Sequence, residues 1–177
     1  MSRGFPETFE PDGLTAARVW SSLPPDARLE AARELYAPQG RDPASRRLAD
    51  AAVAAALRSR EIAVRRWPVE RRIAQVSRMH ALDESLAAAL LLALHLGKRR
   101  PMLAAFLDSL GIEHDDGKIR DAARVAPPPP AALAAACERL LDAHPPDHVE
   151  VYLASLLALD PGTWGGLAEV LERLRRP

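Results

Sequence analysis

Nine consecutive apolar residues at positions 86–94 form the most apolar segment of this 177-residue chain. All nine are leucine or alanine, which both have high helix propensity. A helix that is apolar around its whole circumference is normally buried on every side. About 20 residues are needed to cross a bilayer, so the segment is too short for that and predicts the central helix of a soluble all-helical core.

The residues around this segment predict a helical hairpin over positions 83–111. Asp83 is a typical N-cap residue, and Gly97 can take the left-handed conformation that often ends a helix. Pro101 is suited to open the next helix, because the missing N–H of proline costs nothing in the first turn. Gly111 then ends that helix.

Proline and aspartate residues also mark the starts of earlier helices. Pro25 begins one helix, and Asp42 is a suitable N-cap for the next. Residues predicted from helical spacing to face the core include Leu29, Leu35, Leu48, Leu57 and Val69.

The whole chain favours an all-α fold. Alanine, leucine, arginine and glutamate dominate the periodic segments, and no alternating run is typical of a strand. We predict a compact multi-helix bundle or short α-solenoid of about eight or nine helices. Two three-helix units, 68–110 and 130–174, align at a shift of 64 residues, so that Leu103 falls on Leu167. This alignment suggests an internal helical repeat.

Domain organisation is predicted from the prolines and the helical patterns. Four consecutive prolines at 127–130 must be extended and form a stiff spacer. We expect a single all-helical domain with a flexible arm at 1–12, a main helical body at 13–126 and a C-terminal three-helix unit at 131–177.

The composition of the chain limits its expected cellular compartment and the chemistry that it can perform. Cys137 is the only cysteine, which excludes an internal disulfide and predicts a buried, unreactive thiol. Residues 1–13 lack the apolar core of a signal peptide, so we expect a cytoplasmic protein. The many alanines, arginines and prolines are typical of GC-rich bacterial genomes. No glycine-rich nucleotide loop is present, and the sequence predicts no cofactor.

The string His-Asp-Asp-Gly-Lys at positions 114–118 is the most suggestive of catalysis. It resembles the His-Asp-x-Gly-Lys signature of the HD phosphohydrolases, all-helical metal enzymes that cleave phosphate esters. The resemblance implies that His80, His114, Asp115 and a later aspartate hold a divalent metal that activates water. The later aspartate would be Asp142, Asp147 or Asp160. Asp-Asp-Gly is equally typical of a turn between helices, an interpretation that needs no metal.

A second candidate site is a basic surface. Seven arginines and only two glutamates lie between positions 58 and 78. The seven are Arg58, Arg60, Arg65, Arg66, Arg71, Arg72 and Arg78. They can contact nucleic-acid phosphates, or they can face acidic groups of the C-terminal half or of another subunit. The second interpretation fits the charge distribution, since residues 1–100 carry 17 basic and 12 acidic side chains and residues 101–177 carry 7 and 12.

The sequence therefore predicts a non-catalytic protein-interaction or scaffold module. It would bind a protein partner or associate with itself, without contacting nucleic acid or a membrane; metal-dependent phosphohydrolysis and nucleic-acid association are the alternatives. The expected interaction groove comprises His95, Arg99, Arg100, His114, Asp115, Asp116 and Trp164. Within it, His95 can serve as a buried pH-sensitive base or a core residue, and Trp164 as an exposed anchor or a core residue.

Overall fold

The computed structural model describes residues 13–38 and 43–175. Over these ranges the chain forms 11 helices, nine of them with seven or more residues, and one two-stranded sheet. The predicted all-α fold class is thus confirmed. The arm predicted at residues 1–12 and the N-cap predicted at Asp42 lie outside the described ranges. None of the helices within those ranges has the length and apolar character to cross a bilayer.

Residues 16–97 form one compact unit, here called the N-terminal unit. Its helices are α1 (Ala16–Ser22), α2 (Pro25–Tyr36), α3 (Pro43–Ala56), α4 (Glu61–Arg65), α5 (Val69–Arg78) and α6 (Glu84–Leu96). Helix α2 packs against α5 and α6, while α1 contacts α6 and α3 contacts α4 and α5. The fully buried side chains of Trp20, Leu35, Leu90 and Leu94 belong to its core.

Helix α6 contains the apolar segment and is buried along most of its length. The Asp83 side chain accepts a hydrogen bond from the Leu86 N–H at 2.9 Å, which confirms the predicted N-cap. Leu92 is 50% exposed, so the helix is not buried on every side. Gly97 has φ −81°, and the predicted left-handed end is therefore wrong. The glycine instead leaves space for Glu34, whose side chain would lie 2.6 Å from an added Cβ.

Several residues predicted to face the core are exposed instead. Leu48 is 43% exposed and Leu57 is 46% exposed, because α3 buries a neighbouring face that includes Ala49 and Val53. Val69, in the first turn of α5, is 38% exposed. Large apolar side chains therefore remain on the surface of the N-terminal unit.

Residues 98–175 belong to a second compact unit, here called the C-terminal unit. Its elements are α7 (Arg100–Ser109), β1 (His114–Asp115), β2 (Lys118–Ile119), a 3-10 turn (Ala122–Arg124), α8 (Pro130–Ala143), α9 (Pro146–Leu159), α10 (Pro161–Trp164) and α11 (Leu167–Arg175). Helix α9 packs against α8, α10 and α11, and α7 packs against α8. In its core the Phe106 ring lies edge-on to Tyr152 at 5.5 Å and tilted to Trp164 at 5.9 Å.

One boundary between the two units falls between Thr15 and Ala16, and the other falls between Gly97 and Lys98. The prolines at 127–130 lie inside the C-terminal unit, where Pro130 begins α8. The first predicted three-helix unit, 68–110, is divided by the boundary after Gly97. The internal repeat and the single-domain organisation stay predictions.

Cys137 is buried in α8. Burial, with a smaller contribution from Glu138, raises the pKa of its thiol to about 12. Because the thiolate is the reactive form, this environment suits the predicted unreactive thiol.

Candidate functional site

The His-Asp-Asp-Gly-Lys string forms a β-hairpin in which β1 and β2 pair antiparallel. Asp116 and Gly117 connect the strands with φ +49° and +83°. Positive φ at both central positions is the requirement of the type I′ turn, for which Asp-Gly is a favoured sequence. The sequence shows no alternating run typical of a strand, but this segment contains two strands. Each has only two residues, too few to show a periodic pattern.

The hairpin turn lies against α7. A Cβ added at Gly117 would come within 2.8 Å of the Leu103 Cβ and 3.1 Å of the Arg100 carbonyl oxygen. Glycine is therefore required here both by the backbone conformation and by the close approach to the helix. This contact fixes the position of the polar residues on the hairpin relative to α7.

The aspartates of the hairpin are paired with arginines. Arg100 Nη1 lies 2.8 Å from Asp116 Oδ2, and Arg120 Nη2 lies 2.8 Å from Asp115 Oδ1. A groove of about 380 Å³ beside the hairpin contains a further pair, Arg124 and Asp121, at 3.0 Å. Positive and negative charges are thus locally balanced in this part of the C-terminal unit.

His114 is oriented by two hydrogen bonds. Its Nδ1 accepts from the Gly117 N–H at 3.2 Å, and its Nε2 lies 3.1 Å from Asp108 Oδ1. Acceptance at Nδ1 assigns the imidazole proton to Nε2, which donates to the aspartate. The side chain of His114 therefore links the hairpin to the last turn of α7.

The residues of the predicted metal site do not come together as metal ligands. Within the described ranges, no group of three or more histidine, cysteine, aspartate or glutamate side chains could hold a metal ion. His114 and Asp115 lie on a strand, and His80 belongs to the N-terminal unit. Asp160 accepts a hydrogen bond from the Thr163 N–H at 3.1 Å and caps α10. The hairpin turn accounts for the string without a metal.

Three residues predicted for the interaction groove are buried. Trp164 is 3% exposed and belongs to the core of the C-terminal unit, so it is a core residue and not an exposed anchor. Arg99 is 7% exposed, and His95 is 4% exposed in α6 of the N-terminal unit. Of the predicted groove, Arg100, His114, Asp115 and Asp116 lie together at the hairpin.

Three of the seven arginines predicted for the basic surface have partners within the N-terminal unit. Arg65 forms an ion pair with Glu61, one turn earlier in α4. The Arg71 guanidinium lies 3.8 Å from the centre of the Trp67 ring, a cation–π contact. Arg72 bonds to Asp50 and is described below. These three arginines are therefore partly satisfied by the fold itself.

The other arginines near α4 are exposed beside apolar side chains. Arg58, Arg60 and Arg66 are exposed and form no ion pair with any residue of the described ranges. Leu57, which precedes Arg58, is 46% exposed, and Ile62, which lies between Arg60 and Arg66 in the sequence, is 57% exposed. We call these five residues the apolar–basic surface. Ile62 and Arg66 are four positions apart, which places them on the same side of a helical turn.

A buried polar cluster joins α2, α3 and α5. Asp50 is 3% exposed and accepts a hydrogen bond from the Tyr36 hydroxyl at 2.7 Å. Arg72 Nη1 donates to the same carboxylate at 3.1 Å and also lies 5.0 Å from the centre of the Tyr36 ring. Burial, together with the bond to Asp50, raises the pKa of Tyr36 above the usual range of a phenol.

Another arginine, which is buried, occupies the first turns of α2. Helical spacing predicts a core position for Leu29, but the buried residue is its neighbour Arg28, which is 4% exposed. Arg28 Nη1 lies 2.5 Å from His80 Nδ1. Arg28 shares the i, i+3, i+7 spacing of Ala31 and Leu35, and this spacing is the sequence signal of its burial.

No match to this chain was found among protein-family models, curated proteins or solved structures.

Proposed function

We propose that this chain is a non-catalytic protein-interaction module of the bacterial cytoplasm, whose apolar–basic surface binds an acidic amphipathic segment of a partner protein. The observation that carries this proposal is the exposure of Ile62 and Leu57 among Arg58, Arg60 and Arg66. None of these arginines has an acidic partner in the described ranges.

The two kinds of side chain together define the chemistry of the partner. Burying exposed aliphatic side chains is favourable by about 25 cal/mol per Å² of apolar area. Guanidinium groups form bidentate hydrogen bonds with carboxylates and are enriched at protein interfaces. A nucleic acid would satisfy the arginines and leave Ile62 and Leu57 uncovered. A protein segment with both apolar and acidic residues satisfies all five.

Binding of a designed peptide tests the proposal. The probe is a fluorescently labelled helical peptide of about 18 residues, or five turns, with leucine on one face and glutamate on the other. A second peptide carries lysine in place of glutamate. We expect fluorescence anisotropy to show binding of the glutamate peptide and no binding of the lysine peptide.

Matched variants locate the binding surface. The double variant Ile62→Ser, Arg66→Ser should weaken binding of the glutamate peptide by about tenfold or more, equivalent to about 1.4 kcal/mol. The control, Leu92→Ser with Arg33→Ser, likewise changes one large aliphatic residue and one arginine at exposed positions of the same unit and should bind normally.

Three results would overturn the proposal. One is equal binding of the glutamate peptide by the test and control variants. Another is binding of an oligonucleotide, in place of the peptide, with the steep salt dependence that phosphate contacts produce. The third is self-association that the Ile62→Ser, Arg66→Ser variant abolishes, since the surface would then bind a second copy of the chain.

A further inference from the structure

A pocket of about 430 Å³ lies where α2 begins and α5 ends. Its volume is within the range of small-molecule sites. The pocket shares no lining residue with the apolar–basic surface. Its lining residues are Pro25, Arg28, Leu29, Ala74, Ser77, Arg78 and His80.

The pocket contains a buried cation without a carboxylate. Arg28 is 4% exposed, and its Nε has no hydrogen-bond partner among the described residues. No aspartate or glutamate lines the pocket. Burial lowers the pKa of Arg28. A charge removed from water is unfavourable unless an opposite charge or sufficient hydrogen bonds replace the water.

The remaining polar groups of the pocket are also mainly donors. His80 Nδ1 accepts from Arg28, so the proton of the neutral imidazole lies on Nε2 and is available to a ligand. Arg78 is exposed at the last position of α5 and forms no ion pair with the described residues. Ser77 donates its hydroxyl hydrogen to the Ala74 carbonyl oxygen at 3.1 Å.

We propose that this pocket binds the phosphate group of a small phosphate monoester, with Arg28 and Arg78 as the cations and His80 as a further donor. Two guanidinium groups match the charge of about −1.5 to −2 that a phosphate monoester carries at neutral pH. Pro25, Leu29 and Ala74 provide an apolar wall for the organic part of the ligand. The site is independent of the docking surface proposed above.

Thermal unfolding with defined probes tests this site. The probes are inorganic phosphate, glycerol phosphate and vesicles that contain phosphatidic acid, with chloride at equal ionic strength as reference. We expect both soluble phosphates to raise the Tm with increasing concentration, because they bind the folded state. Titration of the same probes by calorimetry gives the affinity directly.

Two variants and a control connect the effect to the pocket. Arg28→Met should abolish the response to phosphate while its Tm in phosphate-free buffer is not lowered, because the substitution removes an uncompensated buried charge. Arg78→Gln should weaken phosphate binding by about tenfold, the effect of losing one charged hydrogen bond. Arg33→Met, at an exposed position of the same helix, should respond as the wild-type chain does.

The outcomes that overturn the proposal are distinct. Phosphate that stabilises Arg28→Met as much as the wild-type chain would place the binding elsewhere. No response to either soluble phosphate would exclude the site. A response confined to the vesicles would mean that a lipid headgroup, and not a soluble ester, is recognised.

Discussion

Arg28 and Arg72 are two arginines that lie between the same helices in different electrostatic environments. Arg72 extends from α5 and contacts Tyr36 of α2, and its charge is balanced by Asp50. Arg28 extends from α2 towards the end of α5, where it donates a hydrogen bond to Nδ1 of His80. Each leaves its Nε without an acceptor in the described ranges. The two arginines therefore differ in their partners: Arg72 has the carboxylate of Asp50, whereas Arg28 has an imidazole nitrogen of His80.

This difference separates a structural ion pair from a candidate binding site. A buried charge that the fold needs for its own stability is normally paired, and the Arg72–Asp50 pair fits that description. A buried charge without a counter-ion lowers stability until a ligand supplies one. Arg28 has this property and Arg72 does not, so substitutions at the two positions should have opposite consequences.

Removing Asp50 should produce the largest effect. Asp50→Ala leaves the Arg72 guanidinium and the Tyr36 hydroxyl without their shared acceptor in a buried position. We expect the free energy of unfolding to fall by about 3–5 kcal/mol, as for other broken buried pairs. Urea unfolding followed by circular dichroism measures the change. Asp50→Asn keeps an acceptor and should lose less; equal losses in the two variants would show that the charge of Asp50, and not its capacity to accept hydrogen bonds, accounts for the stabilisation.

The two arginines themselves give the direct comparison. Arg72→Met leaves the Asp50 carboxylate without its cationic partner and should lower the free energy of unfolding by about 2–3 kcal/mol. This loss is smaller than for a fully buried pair, because the Arg72 side chain is 19% exposed. Arg28→Met should leave that free energy unchanged or raise it by about 1 kcal/mol in phosphate-free buffer. Urea unfolding of both variants under identical conditions checks this prediction. A similar loss at both positions would show that Arg28, like Arg72, stabilises the fold.

The fold was predictable where a single residue type determines the local structure. Prolines and Asp83 mark helix starts in the sequence, and the structure begins helices at Pro25 and Pro130 and after Asp83. The hairpin at 114–119 was not predictable, because strands of two residues are too short to show a periodic pattern. The exposed face of α3 was also not predictable, because apolar residues lie on several sides of that alanine-rich helix.

The sites were less predictable than the fold. Sequence spacing shows that arginines are concentrated near α4, but it cannot show that Arg72 pairs with Asp50, 22 positions earlier. It also gives no reason to place Arg28 beside His80, 52 positions later. Both contacts depend on how α2, α3 and α5 pack. Charge balance at a site is therefore a tertiary property, even where each helix is predicted correctly.

Tyr36 extends the comparison to alkaline pH, because it shares Asp50 with Arg72. Its folded-state pKa is raised by burial first and by the bond to Asp50 second, above the unfolded value of about 10. Its contribution to stability is thus complete below about pH 10 and is lost as the pH rises above that value. Tyr152, the only other tyrosine, also has its pKa raised by burial.

We therefore expect no phenolate absorbance from the folded chain at about pH 10, the ordinary tyrosine pKa, and declining urea stability above it. In denaturant both tyrosines should ionise normally. Asp50→Asn removes the negative charge beside Tyr36 and should lower the pKa of that phenol, while Tyr152 serves as an internal reference. Ionisation of Tyr36 at its ordinary pKa in the folded wild-type chain would contradict the effect of burial, and an unchanged Tyr36 pKa in Asp50→Asn would contradict the role assigned to Asp50.

The smallest effect on stability is expected at a solvent-exposed ion pair. Arg100 and Asp116 are 38% and 68% exposed, and such pairs contribute about 0–1 kcal/mol. Asp116→Asn removes the charge and keeps a residue that tolerates φ +49° in an Asn-Gly turn. Asp116→Ala removes the charge and places alanine in a left-handed conformation, which costs about 1 kcal/mol more. If urea unfolding shows that asparagine is as destabilising as alanine, the ion pair and not the turn conformation makes Asp116 important.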